Sequence, residues 1–269
     1  KDFTQMMNSK TMVVLVGDTA FDNSVKRAMK KYWTITKYDF IEMKDIDAHI
    51  ADEGKSFLLP FVITVTYTHS AGSKFSDYSK LKSWYSVLLG GRKSLSRYTD
   101  KDPIAIAPFN YYGDEKVYLS CAYRLDYMVK GINDAFTECK DKQLSGSYAK
   151  IIFKCIDNIN LQTVEALSKK TLVVNKDMMC WYNNKNMVSK ELFDDAKYAY
   201  KIQYVSDAEF KSIMKGNSSE YLCFFPSIEV NKHMIVFDPS TRKTVYYGWA
   251  MQGLKVTKKD IKSMSQGKS

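Results

Sequence analysis

The side chains best suited to chemistry here are three histidines, five cysteines and two close acidic pairs. His49, His69 and His233 lie far apart. None stands in an H-E-x-x-H frame, which would put two imidazoles on one helical face as metal ligands. His69 follows an apolar run and opens a Ser-rich loop, as a loop base or a solvent-facing side chain. His49 lies in a short helical stretch. The acidic pairs Asp45/Asp47 and Asp194/Asp195 suit helix termini or solvated faces. Cys121, Cys139, Cys155, Cys180 and Cys223 include no C-x-x-C, which excludes a zinc ribbon and a thioredoxin-like motif. Cys223 in YLCFF and Cys155 after KIIFK read as buried thiols; one disulfide stays open, and spacing does not choose its pair. Catalytic residues are therefore unknown at this level, and no metal or cofactor site is expected.

Glycine-bearing stretches are the candidate phosphate cradles. LLGGRKS, Leu88 to Ser94, has Arg92 between Gly91 and Lys93 and lacks the earlier glycine of a phosphate loop. It reads as a tight turn between strands. VLVGDTAFDNS, Val14 to Ser24, is a strand, a loop and a helix start, but one glycine does not make a dinucleotide fingerprint. Its oxygen ligands lack EF-hand spacing. SGSYA lacks the flanks of a nucleophile elbow. Aromatic residues cluster at Trp84-Tyr85, Tyr111-Tyr112, Trp181-Tyr182 and Tyr246-Tyr247 with Trp249. Such groups make either a carbohydrate, peptide or protein contact surface or ordinary strand cores.

A net charge of +10 raises nucleic acid as a partner, yet Arg occurs only at positions 27, 92, 97, 124 and 242. The remaining 35 of the 40 basic residues are Lys, and they are dispersed. Phosphate and base readers favour the bidentate fork of Arg. The expectation is a Lys-coated surface with weak, salt-sensitive attraction to polyanions and no specific nucleic acid. No apolar run approaches the ~18 residues of a membrane helix. Lys at position 1 is consistent with a mature chain whose export signal has been removed.

The elements that must position these residues are written twice. Tyr38 to Phe61 and Ile202 to Phe225 agree in apolar or polar class at 18 of 24 positions, with an offset of 164. A second anchor, KTMVV at Lys10 and KTLVV at Lys170, has an offset of 160. Order and spacing imply an internal duplication, in which Val13 matches Val173 and Phe57 matches Tyr221. Each copy reads as β-α-β-α-β, giving a mixed α/β fold of two tandem modules with bridging helices. In the first, TMVVLV is a strand. Phe21, Val25, Ala28, Met29, Tyr32 and Trp33 form one helical face. TITKYDFI is a strand, Asp45 caps a short helix carrying Ile46 and Ile50, and SFLLPFVITVTYT is a strand whose Pro60 implies an edge or bulge. LKSWYSVLL and IAIAPFN follow as strands. Leu125, Met128, Val129, Ile132 and Phe136 mark one helix, and Tyr148, Ile151, Ile152 and Cys155 a second. The second copy has TLVV, a helix from about Val188 to Ala199, YKIQYV, a short helix with Phe210, Ile213 and Met214, and EYLCFF. A hairpin turning at Asp238-Pro239 comes next, then a terminal helix with Thr257 and Asp260 at capping-box spacing. The boundary is drawn at residues 145/146, with NINLQT as the alternative.

The segment SVKRAMKKYWTITKYDFIEMKDIDAHI followed by SFLLPF resembles a pattern of uncharacterised secreted or cell-envelope proteins of Bacteroidetes-type bacteria. The matching residues are Trp33, Ile35, Tyr38, Phe40, Ile41, Asp45 and Phe57-Leu58; the second half has Ala199-Tyr200 where Trp would stand. The resemblance covers about half the chain. It implies export, a periplasmic or envelope location and a protein or envelope component as partner, and it transfers no active site. The expected function is a non-enzymatic exported binding or scaffold protein. The alternative is an enzyme, such as a hydrolase, with its site in the cleft between modules.

Overall fold

The run KTMVVL forms strand β1 (Lys10–Leu15), in which Val13 and Val14 are fully buried. Helix α1 (Asp2–Asn8) precedes it. After β1, the Asp18 carboxylate accepts from the Phe21 amide at 2.8 Å and caps α2 (Thr19–Tyr32). Asp22 reaches back to accept from the Val16 and Gly17 amides at 2.9 and 3.1 Å. Gly17 itself takes φ +83°, which a side chain would resist. The loop of VLVGDTAFDNS is thus a helix start. Phe21, Val25, Ala28 and Met29 recur on one face of α2 and are fully buried.

The structure is a computed structural model that describes residues 2–67, 78–99, 101–108, 122–141, 159–180, 185–186, 188–228, 231–251 and 255–268. The first unit continues with β2 (Tyr38–Glu42), a 3-10 turn (Met43–Ala48), β3 (Lys55–Tyr67), β4 (Tyr78–Leu89), β5 (Ala105–Pro108) and α3 (Leu125–Asp141). Ile46 and Ile50 are buried as expected, but Asp45 is not the cap: Glu42 holds that position and makes no side-chain cap bond. Gly90 and Gly91 do not form a tight turn. They open the connection 90–104, which contains a 3-10 turn (Leu95–Arg97). A Cβ on Gly90 would stand 2.0 Å from the Asp52 carbonyl oxygen, so that backbone approach requires glycine.

The second unit comprises α4 (Thr163–Lys169), β6 (Thr171–Asn175), the small hairpin β7 (Met179–Cys180) and β8 (Lys185–Asn186), α5 (Lys190–Asp195) and β9 (Ile202–Val205). It closes with α6 (Asp207–Lys215), β10 (Tyr221–Ile228), β11 (Asn231–Asp238), β12 (Lys243–Met251) and α7 (Lys258–Ser265). Helix α5 is shorter than the stretch Val188 to Ala199. Lys197 takes φ +54°, and Tyr198 turns its ring edge-on to Phe193 at 5.2 Å, which ends the helix. Capping boxes start α6 at Ser206/Glu209 and α7 at Thr257/Asp260.

Both units have one topology. The sheets run β2-β1-β3-β4-β5 and β9-β6-β10-β11-β12: three parallel strands, second-first-third, then two antiparallel ones. The anchors proposed from sequence fall on equivalent strands but not on equivalent positions. Val13 shares a core with α2 and pairs with Leu58. In the second unit, Phe193 of α5 lies on Tyr204 and Phe224, the two residues that flank Val174 in register. Val174 therefore faces the helix equivalent to α2, and Val173 faces away. A one-residue slip moves a side chain to the other sheet face, so Val13 does not match Val173. Pro60 and Pro226 are better markers. Each lies two residues beyond the last rung to the central parallel strand, Leu58 with Val13 and Phe224 with Val174. A proline is tolerated there because no neighbour needs its missing N–H. On that frame Phe57 corresponds to Cys223, not Tyr221.

Helix α3 joins the two cores. Leu125, Met128, Val129, Ile132 and Phe136 pack with α2 in the first, while Tyr127 enters the second. The boundary read at 145/146 and the helix read around Tyr148 to Cys155 lie outside the described residues. Among the described residues no helix is long and apolar enough to cross a membrane.

Candidate functional site

Side chains alternate between the faces of a strand, so Cys223, Phe225 and Ser227 of β10 share one face. Register sets Ile235 opposite Phe225, His233 opposite Ser227, and then Tyr247 and Trp249 of β12 opposite Ile235 and His233. This is the face that receives α3. The Tyr127 ring lies 4.8 Å from that of Phe237, and the Arg124 guanidinium sits 3.8 Å over the Phe225 ring. From Cys223 to Ser227 the face turns from apolar to polar. Arg124, Ser227 and His233 are buried, while Trp249 at the rim is 37% exposed.

His233 Nδ1 lies 2.6 Å from the Tyr247 hydroxyl. Burial pushes the imidazole down to about 4 and holds the phenol well above its usual value. Both groups are neutral at pH 7 and share one hydrogen bond, whose donor is set by the imidazole tautomer. Two side chains hold the strand that carries Tyr247. Asn160 Nδ2 donates to the Tyr247 carbonyl at 3.0 Å, and its Oδ1 accepts from the Tyr247 amide at 2.8 Å. The Thr163 hydroxyl donates to the Val245 carbonyl at 2.6 Å. Asn160 and Thr163 thereby cover the outer edge of β12, which would otherwise invite another strand.

Arg242 forms a second polar group where the units meet. It stands at φ +57° in the turn between β11 and β12. Its guanidinium donates to the Tyr127 hydroxyl at 2.6 Å, to the Lys215 and Gly216 carbonyls at 2.7 Å each, to Asn217 Oδ1 at 3.1 Å and to the Met214 carbonyl. The Tyr127 hydroxyl donates to the same Met214 carbonyl at 2.7 Å. A cation at the α6 C-terminus also meets the negative end of the helix dipole. In the same unit, buried Lys232 pairs with Asp260, and Lys170 pairs with Asp238 at 2.8 Å. Burial would raise the Asp238 carboxyl, but bonds from Lys170 and Ser240 outweigh it and hold the group below its ordinary value.

Most residues singled out in the sequence serve local structure. His49 ends the 3-10 turn with Nδ1 3.1 Å from Lys55 Nζ. Asp47 accepts from the Leu95 amide, and Asp195 pairs with Lys258. Arg92 binds Asp102 and the Arg97 carbonyl within the 90–104 connection. Tyr85 and Tyr246 are core residues. Cys139 and Cys223 are buried, and burial pushes the Cys223 thiol up to about 12. His69, Tyr111, Tyr112, Cys121, Ser145 to Ala149, Cys155, Trp181 and Tyr182 lie outside the described residues. Among those described, no three His, Cys, Asp or Glu side chains gather to hold a metal. The sequence reading missed Arg124, Ser227 and the joining of His233 to Tyr247. The available signal was polar residues at alternate positions of apolar strands, Ser227 after Phe225 and His233 before Ile235. No protein-family model, curated protein or solved structure matches the chain.

Proposed function

We propose that this chain is a non-enzymatic binding or scaffold protein, exported to the bacterial cell envelope, that engages a protein or another envelope component. The observation that carries the reading is the Tyr127–Arg242 clamp. A buried guanidinium with five hydrogen-bond partners ties the shared helix α3 to the end of α6, which favours a fixed double unit over two hinged ones. The common topology and the matched prolines support an internal duplication as its origin. Dispersed lysines and few arginines support the absence of a specific nucleic-acid partner. The envelope location rests on the resemblance of the Ser24 to Phe61 pattern. Cell fractionation of the full-length product tests it, and recovery in the cytosol would overturn it.

A second reading, hydrolysis at the junction, is favoured by Ser227 and His233, which face each other across β10 and β11 as nucleophile and base types. Against it, the imidazole bonds Tyr247, and burial leaves it a weak base. Assays of the purified chain on chromogenic esters, glycosides and peptides separate the two. Turnover that disappears in Ser227→Ala would replace the binding reading with the hydrolase.

A further inference from the structure

Arg124 is 2% exposed, in the 3-10 turn Ala122–Arg124 that leads into α3. Its guanidinium carbon lies 3.8 Å over the Phe225 ring centroid and 5.8 Å from the Tyr123 ring centroid. Nε is buried and has no hydrogen-bond partner, and among the described residues no carboxylate pairs with the group. Asp126, two residues on, and the acids of α6, the helix packed against this turn, are engaged elsewhere. Asp126 pairs with Arg27 at 3.3 Å, Asp207 with Lys211 at 2.5 Å, and Glu209 closes the capping box with Ser206.

Burying a cation without a counter-charge is costly, and folded chains avoid it by pairing. Arg242, at the other end of α6, also has a buried Nε without a partner, but its terminal nitrogens donate to five acceptors, whereas among the described residues Arg124 donates to none. The Phe225 ring accepts no conventional hydrogen bond, so bonding falls to the edge of the Arg124 group. The Nε side of that edge carries two parallel N–H groups, whose spacing matches the two oxygens of a carboxylate. Ser227 follows Phe225 on the same sheet face, and Lys211, paired with Asp207, lies 5.7 Å from the Tyr123 ring centroid.

We propose that Arg124, seated on Phe225 where α3 crosses the second sheet, anchors a binding site for a carboxylate-bearing ligand. The site names a ligand class for the binding protein proposed above and rests on that reading. Turnover of an ester would sink the non-enzymatic reading and leave this one standing, since carboxylate binding is measured at equilibrium.

The test uses the whole chain, wild type and Arg124→Met, with succinate and citrate as probes. Sulfate, inorganic phosphate and chloride at matched ionic strength are the references. The expected result is a saturable rise in wild-type Tm with a carboxylate, beyond that with chloride. By calorimetry, Arg124→Met should weaken succinate at least about tenfold, as loss of a buried charge partner does. Without ligand, Arg124→Met should be as stable as wild type or more so, because an unpaired buried charge has been removed. A large fall in Tm or failure to fold in Arg124→Met would show that the chain satisfies Arg124 itself and would overturn the proposal. Carboxylates no better than chloride, or sulfate and phosphate as good as carboxylates, would overturn it too.

Discussion

Acidification should weaken this fold through His233, and the size of the effect follows from its burial. The imidazole titrates at about 4 in the folded chain against 6.5 when solvated. Protonation would place a charge among buried groups and a second donor against the Tyr247 hydroxyl. Between those values the unfolded chain binds a proton that the folded chain does not, so stability falls as pH falls. The contribution is fully present above pH 6.5 and is lost on the way down to 4. At about 1.4 kcal/mol per pH unit, going from pH 7.5 to 5 removes about 2 kcal/mol. Carboxylates titrate in the same range, so the measurement is a difference. Urea unfolding of wild type and His233→Gln is compared at both pH values; the glutamine amide can still accept from Tyr247 but does not titrate. The stability gap should shrink by about 2 kcal/mol at pH 5. A gap constant to within about 0.5 kcal/mol would refute a buried neutral His233, since it would mean that the imidazole titrates alike folded and unfolded.

Other perturbations test other parts of the argument. Leu222 is fully buried, and Leu222→Ala should cost about 2–5 kcal/mol; an unchanged melting curve would contradict its place in the core. Arg242→Ala leaves the last carbonyls of α6 and the Tyr127 hydroxyl without their shared donor, with an expected loss of about 3 kcal/mol and faster amide exchange in α6. Exchange at the wild-type rate would mean that the clamp does not fix that helix. Asn160→Ala uncovers the edge of β12, and light scattering should then detect concentration-dependent association; a monodisperse variant matching wild type at all concentrations would show that Asn160 does not guard the edge.

Much of the fold was legible because its helices are amphipathic. The spacings of Phe21, Val25 and Met29, and of Leu125, Val129 and Ile132, gave α2 and α3 from the chain alone. The Thr257/Asp260 spacing likewise gave the start of α7. The site was less legible because it is assembled across strands. Arg124 meets Phe225 a hundred residues later in the chain, and His233 finds Tyr247 only once β11 and β12 pair. Composition recorded Arg as scarce without marking that two of the five arginines are buried at the seam.

The slip between the two units has a physical cause. Strands β1 and β6 are central and parallel, so helices or turns cover both of their faces. Their middles, Met12 to Val14 and Leu172 to Val174, are apolar throughout and carry no alternation that separates one face from the other. An alignment of KTMVV with KTLVV therefore gains letter identity while reversing every side chain. Proline does not share this ambiguity, because its missing N–H is tolerated only where no neighbour asks for it. Pro60 and Pro226 mark where the central strand stops pairing, a property of the sheet rather than of residue type. A register fixed by backbone pairing thus outranks one fixed by apolar pattern. It places Leu58 with Phe224 as the rung beneath α2 and α5, and Phe57 with Cys223 on the opposite face.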